Sequence, residues 1–315
     1  MPELFSTICD FNTLLAAWER VRANGGCRGS DGISIASFSF DYETKLRDLS
    51  NSISSGAYHP FPLLRFPIPK NNRPGERFLS VPTVRDRLAQ TAVFLATRDI
   101  FEAEFENLSH AYRPGRGVRT AVYDIKEWRD KGYRFAVDAD ISAYFDNVPH
   151  DLLLQKLDAL FPQQPQILRL FKKWIRAEIY DGTKIWRLEK GIPQGSVVSP
   201  LLANLFLDEL DETLMGFKLK LVRYADDFLI LAKSQEKAEE AIELTDMLLD
   251  DMHLELNPLK TKIVSFDHGF KFLGAIFLQD GVYLSFPEKK KKKNERPNLP
   301  AKLDLRRYLE YKNSS

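Results

Sequence analysis

Leu221-Val222-Arg223-Tyr224-Ala225-Asp226-Asp227-Phe228-Leu229-Ile230-Leu231 sets two adjacent carboxylates between two apolar runs. Neighbouring residues on a straight strand point to opposite faces, so these acids converge only where the chain bends. Aspartate tolerates turns well. Lys220 to Leu231 therefore reads as a strand, a tight turn and a second strand, with the acids at the tip. Two anions held together between apolar strands are costly unless paired or bound to a cation. Carboxylate oxygens of this kind suit Mg²⁺. Taken alone, an Asp-Asp pair is also what an ordinary capped surface turn contains.

A second source of carboxylates lies upstream. From Tyr133 to Ile141 the chain alternates, with Phe135, Val137 and Ile141 on one strand face and Asp138 and Asp140 on the other. Three carboxylates from two strands can hold two metal ions about 4 Å apart. One ion would activate an attacking 3′-hydroxyl, and the other would bridge a triphosphate and its leaving pyrophosphate.

Helical spacing of Leu14, Leu15, Trp18 and Val21 predicts a helix over 11–23, stopped by Asn24-Gly25-Gly26. The glycine-rich stretch 25–32 lacks the spacing of a phosphate-binding loop and reads as a connection. Pro60, Pro62, Pro67 and Pro69 make 58–70 extended. Residues 77–81 read as a short strand, and Thr83 as the cap of a helix reaching about Phe101. Further helices are expected at 150–160, 164–176 and 236–252. Another starts at Ser199-Pro200, with Ser199 as N-cap, and buries Leu201, Leu202, Leu205, Phe206 and Leu210. Residues 271–276 and 281–286 read as a final hairpin. This order of elements is α+β.

Composition narrows the class without choosing within it. Hydrophobic residues are 44% and charged residues 28%, as in ordinary globular chains. The net charge of +1 conceals a polarity: from Pro287 onward ten Lys/Arg face four acids, so that tail is +6 and the rest is −5. The run Lys289 to Lys293 fits either a solvated charge run or a contact to nucleic-acid backbone. Two cysteines without a CxxC spacing suggest neither a disulfide scaffold nor a zinc site. No apolar stretch is long enough for a membrane span, and the start lacks the pattern of a secretory signal. A cytoplasmic location is the expectation. The five histidines show no ligand spacing and are expected to be structural.

The order of motifs is similar to that of reverse transcriptases, and most specifically resembles the bacterial group II intron lineage. Asp140 to Asp146 resembles that family's first catalytic motif. Gly191 to Ser196, followed by Ser199-Pro200-Leu201, resembles its nucleotide-site motif. Tyr224 to Asp227 matches the hallmark tetrapeptide, and Leu256 to Lys262 and Phe272-Leu273-Gly274 match the two motifs that follow. Arg77 to Gln90 and Tyr112 to Gly117 resemble the fingers of the same group, and the Ser30-Asp31-Gly32 loop its N-terminal extension. The resemblance covers roughly residues 10–285.

That resemblance implies right-hand polymerase fingers and palm with an antiparallel palm sheet and a reduced or absent thumb. The expected domains are 1–135, fingers with an N-terminal extension partly interleaved with the palm; 136–286, palm; and 287–315, a basic tail or thumb remnant. Asp140, Asp226 and Asp227 match the catalytic, metal-binding triad for two Mg²⁺ ions, with Mn²⁺ as a substitute; Asp138 is the second choice for the first position. Lys70, Arg77, Phe145, Gln194, Gly195 and Lys260 match nucleotide-binding positions. Phe145 excludes a 2′-hydroxyl, and Lys260 protonates the pyrophosphate, with Lys262 as competitor. Phe272, Leu273 and Gly274 match the primer grip. Arg113, Arg116 and Arg119 are template-contact candidates. The implied partners are an RNA template, a DNA or RNA primer and dNTPs, with no membrane.

Intron-encoded members continue past this point with a helical thumb and DNA-binding or nuclease regions, whereas only about 30 residues follow Phe286 here. A partner supplying thumb function is therefore expected, and a CRISPR integrase complex is one such partner. The implied function is cDNA synthesis on RNA, with CRISPR spacer acquisition as one setting. Alternatives are an antiphage-defence polymerase with untemplated synthesis and a non-catalytic, maturase-like RNA-binding scaffold.

Overall fold

The computed structural model describes residues 4–69, 75–284, 299–304 and 308. The chain begins with α1 (Leu4–Cys9), α2 (Phe11–Asn24), α3 (Ile35–Ser39), α4 (Tyr42–Ser54), β1 (Leu63–Pro69), β2 (Glu76–Val81) and α5 (Val84–Glu104). There follow α6 (Val118–Asp130), β3 (Phe135–Asp140), α7 (Tyr144–Asn147), α8 (His150–Leu160), α9 (Pro165–Ile175), β4 (Glu178–Tyr180) and β5 (Ile185–Arg187). The remainder contributes α10 (Ser199–Gly216), β6 (Lys220–Tyr224), β7 (Asp227–Ala232), α11 (Gln235–Asp251), β8 (Lys262–Ser265), β9 (Phe270–Phe272), β10 (Ala275–Phe277) and β11 (Val282–Leu284). Lys70 and the run Lys289 to Lys293 lie outside the described residues.

Two units share these elements in an interleaved order. The first takes the described residues up to Phe101, then Leu154–Ser199, and the described residues from Leu299 on. Its sheet has the order β2-β1-β4-β5. Pro67 and Pro69 fall beyond the Leu63–Leu64 stretch where β1 pairs with β4, so their missing N–H groups break no ladder there. Thr83 caps α5 as expected: its Oγ1 accepts from the Asp86 amide at 3.1 Å and donates to Asp86 Oδ2 at 2.7 Å. Asp86 is buried and also accepts from Tyr58 Oη and the Phe61 amide, tying the approach to β1 onto α5. Leu303 and Tyr308 pack with Leu64, Phe66 and Tyr180 on this sheet. The Leu303 amide donates to Ser30 O at 2.7 Å, and Tyr308 Oη donates to Glu178 Oε2 at 2.7 Å.

The second unit takes Glu102–Leu153 and the described residues from Pro200 to 284. Its main sheet is antiparallel throughout, in the order β6-β7-β3-β8. Ala121, Val122 and Ile125 of α6 share a buried cluster with Ala136, Val222, Leu229 and Leu231 of that sheet and with Phe270, Phe272, Ala275 and Phe277 of the small sheet β11-β10-β9. This packing explains why α6 belongs with the main sheet.

Local chemistry amends several expected elements. Ser199 is the first residue of α10 itself rather than its N-cap, and its Oγ donates back to Pro193 O at 2.7 Å, closing the loop before the helix. The expected final hairpin is three short strands, because Leu273 and Gly274 take positive φ (48° and 78°) and turn the chain between β9 and β10. Strands β4, β5 and β8 are additional, and at three or four residues each they carry too little periodicity to be read from sequence.

His110 is fully buried, with Nδ1 2.8 Å from Thr120 Oγ1 and Nε2 3.2 Å from Asp124 Oδ2. Burial, and then the positive charges of Arg116, Arg113 and Arg223, push its pKa down to about 4. A depressed histidine binds fewer protons folded than unfolded, so it contributes stability above the unfolded pKa of about 6.5 that is lost as pH falls toward 4. The loss should approach ~3 kcal/mol for a full shift. A His110→Asn variant should show a flatter melting temperature between pH 6.5 and 4, as checked by thermal melts across that range.

Candidate active site

Register puts the acids together. In the β3–β7 ladder Asp140 stands opposite Asp227, and in the β6–β7 hairpin Tyr224 pairs with Asp227. Ala225 and Asp226 form the two-residue turn between them. Ala225 has φ 61°, whereas Asp226 does not take positive φ, a pattern found in type II′ hairpins. Asp138 sits one pleat down, opposite Leu229, with its carboxylate 3.9 Å from Lys262 Nζ. The pairing therefore gathers Asp140, Asp226 and Asp227 at one end of the sheet and directs Asp138 toward Lys262.

Proximity is visible in the proton affinities. Burial raises the Asp226 pKa, with a further push from the charge of Asp140. Burial, the charges of Asp226 and Asp140 and a hydrogen bond with Asp140 push Asp227 up to about 6. The opposing cation is Lys260, whose Nζ donates to Asp140 Oδ1 at 2.6 Å and Oδ2 at 2.7 Å. Asn257 prepares that contact. Its amide donates to Asp140 O at 2.7 Å, its Nδ2 reaches Asp140 Oδ2 at 3.3 Å, and its own carbonyl accepts from Lys260 N. Asn257 was expected only as part of a motif. The sequence signal for its role was Asn-Pro-Leu-Lys, a turn-forming string that returns a lysine toward the strand end.

Beneath the turn lies a buried polar group that sequence reading missed. The pleat sends Arg223 to the face opposite Tyr224 and Asp227. Its guanidinium is fully buried and meets the Asp211 carboxylate of α10, the Asn204 side chain at 3.0 Å and Ala225 O at 3.2 Å. Tyr144 Oη donates to Ala203 O at 2.5 Å and ties α7 to the same helix.

Other candidates separate clearly. Phe145 is half-buried on α7 and edge-on to Tyr144 at 5.5 Å. Gln194 and Gly195 belong to the first unit: Gln194 O accepts from the Ser80 amide at 2.7 Å, and Gly195 has φ 114° with a Cβ position 3.1 Å from Ser80 O. A side chain there would be strained and crowded. Gln90 Oε1 holds the same loop through Ser196 Oγ and the Val197 amide. Arg77 is exposed on β2. Arg113 is not free to meet a template: it is buried, with Nε on both oxygens of Glu102 and its terminal nitrogens on the carbonyls of Phe105, Glu106 and Ser109. Arg116 holds Asn107, and Arg119 is exposed. Phe272 is buried and Leu273 packs on the same cluster, so this turn presents backbone rather than those side chains.

The donor set fits a hard divalent cation, since it is all oxygen and the Asp226 and Asp227 carboxyls are raised by burial first and then by neighbouring carboxylates. Among the described residues no three His, Cys, Asp or Glu side chains form a ready cage. Lys260 occupies both oxygens of Asp140, so Asp140 would join such a set only with that ammonium displaced.

Residues 68–277 match the family model described as reverse transcriptase (RNA-dependent DNA polymerase). The chain belongs to the reverse transcriptase family. Protein YkfC of Escherichia coli (strain K12) is 32% identical over 286 residues, covering 78% of this chain and 74% of YkfC. The group II intron-encoded protein LtrA of Lactococcus lactis subsp. cremoris is 35% identical over 181 residues, 58% of this chain. That match spans only 30% of the length of LtrA. Among solved structures, telomerase from Candida albicans with a fragment of telomeric RNA superposes with a TM-score of 0.56 at 16% identity. It covers 79% of this chain and 52% of that one, a likeness of fold. The chain is thus a group II-like reverse transcriptase with fingers-and-palm architecture. Among the described residues no helix is long and apolar enough to cross a membrane.

Proposed function

We propose that this chain extends a primer with deoxynucleotides on an RNA template, with Asp140, Asp226 and Asp227 holding a pair of Mg²⁺ ions. The observation that carries this reading is the pairing of Asp140 with Asp227 across β3 and β7, beside a turn that adds Asp226. When bound, Mg²⁺ supplies activation of the primer 3′-hydroxyl and neutralisation of the triphosphate. Lys260 neutralises Asp140 beforehand and, once displaced, is a proton donor for the departing pyrophosphate. Gln194 and the backbone at Gly195 are assigned to the incoming nucleotide, and Arg77 to its phosphates.

Primer extension on an RNA template with Mg²⁺ and dNTPs tests the reading. Template-dependent cDNA supports it, whereas untemplated tailing or RNA binding without extension favours the defence polymerase or the scaffold. The pathway to test first is spacer acquisition from RNA. Recovery of an integrase with the tagged chain supports that pathway, and recovery of the chain alone removes it.

Phe145 is assigned to exclusion of the ribose 2′-hydroxyl. A Phe145→Ala variant should raise ribonucleotide use relative to deoxynucleotide use by about tenfold or more in kcat/KM. An unchanged ratio would return Phe145 to a packing role against Tyr144.

A further inference from the structure

Helix α9 carries Arg169, Lys172 and Lys173 but no acid, and its C-cap residue is Arg176. At 100° per residue these four fall on one arc of the helix, opposite the buried Ile167, Phe171 and Trp174. The arc borders a cavity of about 180 Å³ within the first unit, lined among others by Arg169, Lys173, Gln166, Ser54, Ser55 and Gly56.

This corner is electrostatically incomplete. Among the described residues no carboxylate lies within ion-pair distance of Arg169, Lys172 or Lys173. Lys173 is half-buried and donates to the carbonyl of Tyr58. Burial and then the neighbouring charge of Arg169 lower its pKa. Two adjacent cations, one partly desolvated, are favourable together when an anion sits between them. The Ser54 and Ser55 hydroxyls already donate to Asn51 O, so an anion's contacts fall on Arg169, Lys173 and the Gln166 amide.

We propose that this corner is a binding site for the backbone phosphates of a nucleic-acid strand, separate from the carboxylate centre. The cavity is smaller than the roughly 300–1,000 Å³ that encloses a free small molecule. It accommodates one phosphate, and the basic arc continues beside it with Lys172 and the C-cap Arg176, about one turn apart. A free phosphate would need only the cavity pair, whereas a strand uses the arc as well. Choosing a strand rests on membership of a polymerase family whose substrates are strands.

The test is fluorescence anisotropy of a labelled single-stranded RNA, and of DNA of the same sequence, across a salt series. It compares the full-length wild type with Arg169→Gln/Lys172→Gln and with Lys173→Gln. The first variant alters exposed side chains and leaves the fold intact, so it keeps the test decisive if Lys173→Gln loses stability. The expected result is roughly tenfold weaker binding near 0.1 M salt, with the log–log salt slope reduced by about 0.7 per lost contact and equally for RNA and DNA. An unchanged slope in the exposed double variant overturns the site. Submillimolar binding of inorganic phosphate, abolished by the same variant while strand affinity is unchanged, also overturns it, in favour of a free phosphate. Extension at saturating template should be unaffected in the variants. Loss of extension in the wild type would sink the polymerase reading, while anisotropy would still decide this one.

Discussion

Replacing Asp226 and Asp227 together by alanine should abolish primer extension and raise the melting temperature measured in EDTA. The activity loss follows from removing two of the three carboxylates assigned to the metal ions. It should reach at least a thousandfold, about 4 kcal/mol of transition-state stabilisation. The gain in stability follows from geometry. Asp140, Asp226 and Asp227 meet at one sheet end and are offset by the ammonium of Lys260. Burial first, and then the other two carboxylates, push Asp227 up to about 6, above its unfolded value. A raised carboxylate holds more protons folded than unfolded, so its contribution to stability is fully present below about pH 4 and is lost as pH rises through 6. The variant should therefore melt higher than the wild type above pH 6 and at nearly the same temperature at pH 4. Adding Mg²⁺ should raise the wild-type melting temperature by ligand linkage and leave the variant unmoved. Retained extension would remove these residues from catalysis. Equal melting at pH 7 without metal would show that the cluster carries no repulsive strain.

The carboxylate hairpin, β3 and the helix after Ser199 were legible because periodicity and turn chemistry act over a few adjacent residues. What escaped is what only register and packing decide. Alternation placed Asp138 and Asp140 on one face equally well, and it took the pairing with β7 to set Asp140 against Asp227. Arg113 read as a template-contact candidate, and only the fold shows the carbonyls of Phe105, Glu106 and Ser109 closed around it. Phe272-Leu273-Gly274 read as part of a strand because a leucine rarely takes the positive φ that turns the chain there. Residues 287–315 read as a basic tail or thumb remnant, and composition gave no sign that Leu303 and Tyr308 pack on the first unit's sheet.

Arg223→Met should be the most destabilising single change in the second unit. The Arg223 and Asp211 side chains are both fully shielded from solvent, with Arg223 Nη2 2.5 Å from Asp211 Oδ2. Removing one partner leaves a buried charge uncompensated, and such losses run to about 3–5 kcal/mol. Asp211→Leu alone should cost a similar amount. The double variant Arg223→Met/Asp211→Leu should recover most of the loss, because an apolar pair of similar volume has no charge to desolvate. Urea unfolding of the four proteins measures that recovery. Activity should not recover with it. Arg223 Nη1 also donates to Ala225 O, which fixes a non-glycine residue at φ 61° beside Asp226. Such a backbone position costs of order 1–3 kcal/mol and persists only where its surroundings hold it. In the double variant nothing replaces that bond, so the turn relaxes and the carboxylates lose their alignment. The expected pattern is near-native stability, depressed extension and a higher Mg²⁺ concentration for half-maximal rate. Recovery of extension together with stability would reduce Arg223 to a packing element, and failure of the double variant to regain stability would show that Asn204 or Ala225 needs the guanidinium for folding itself.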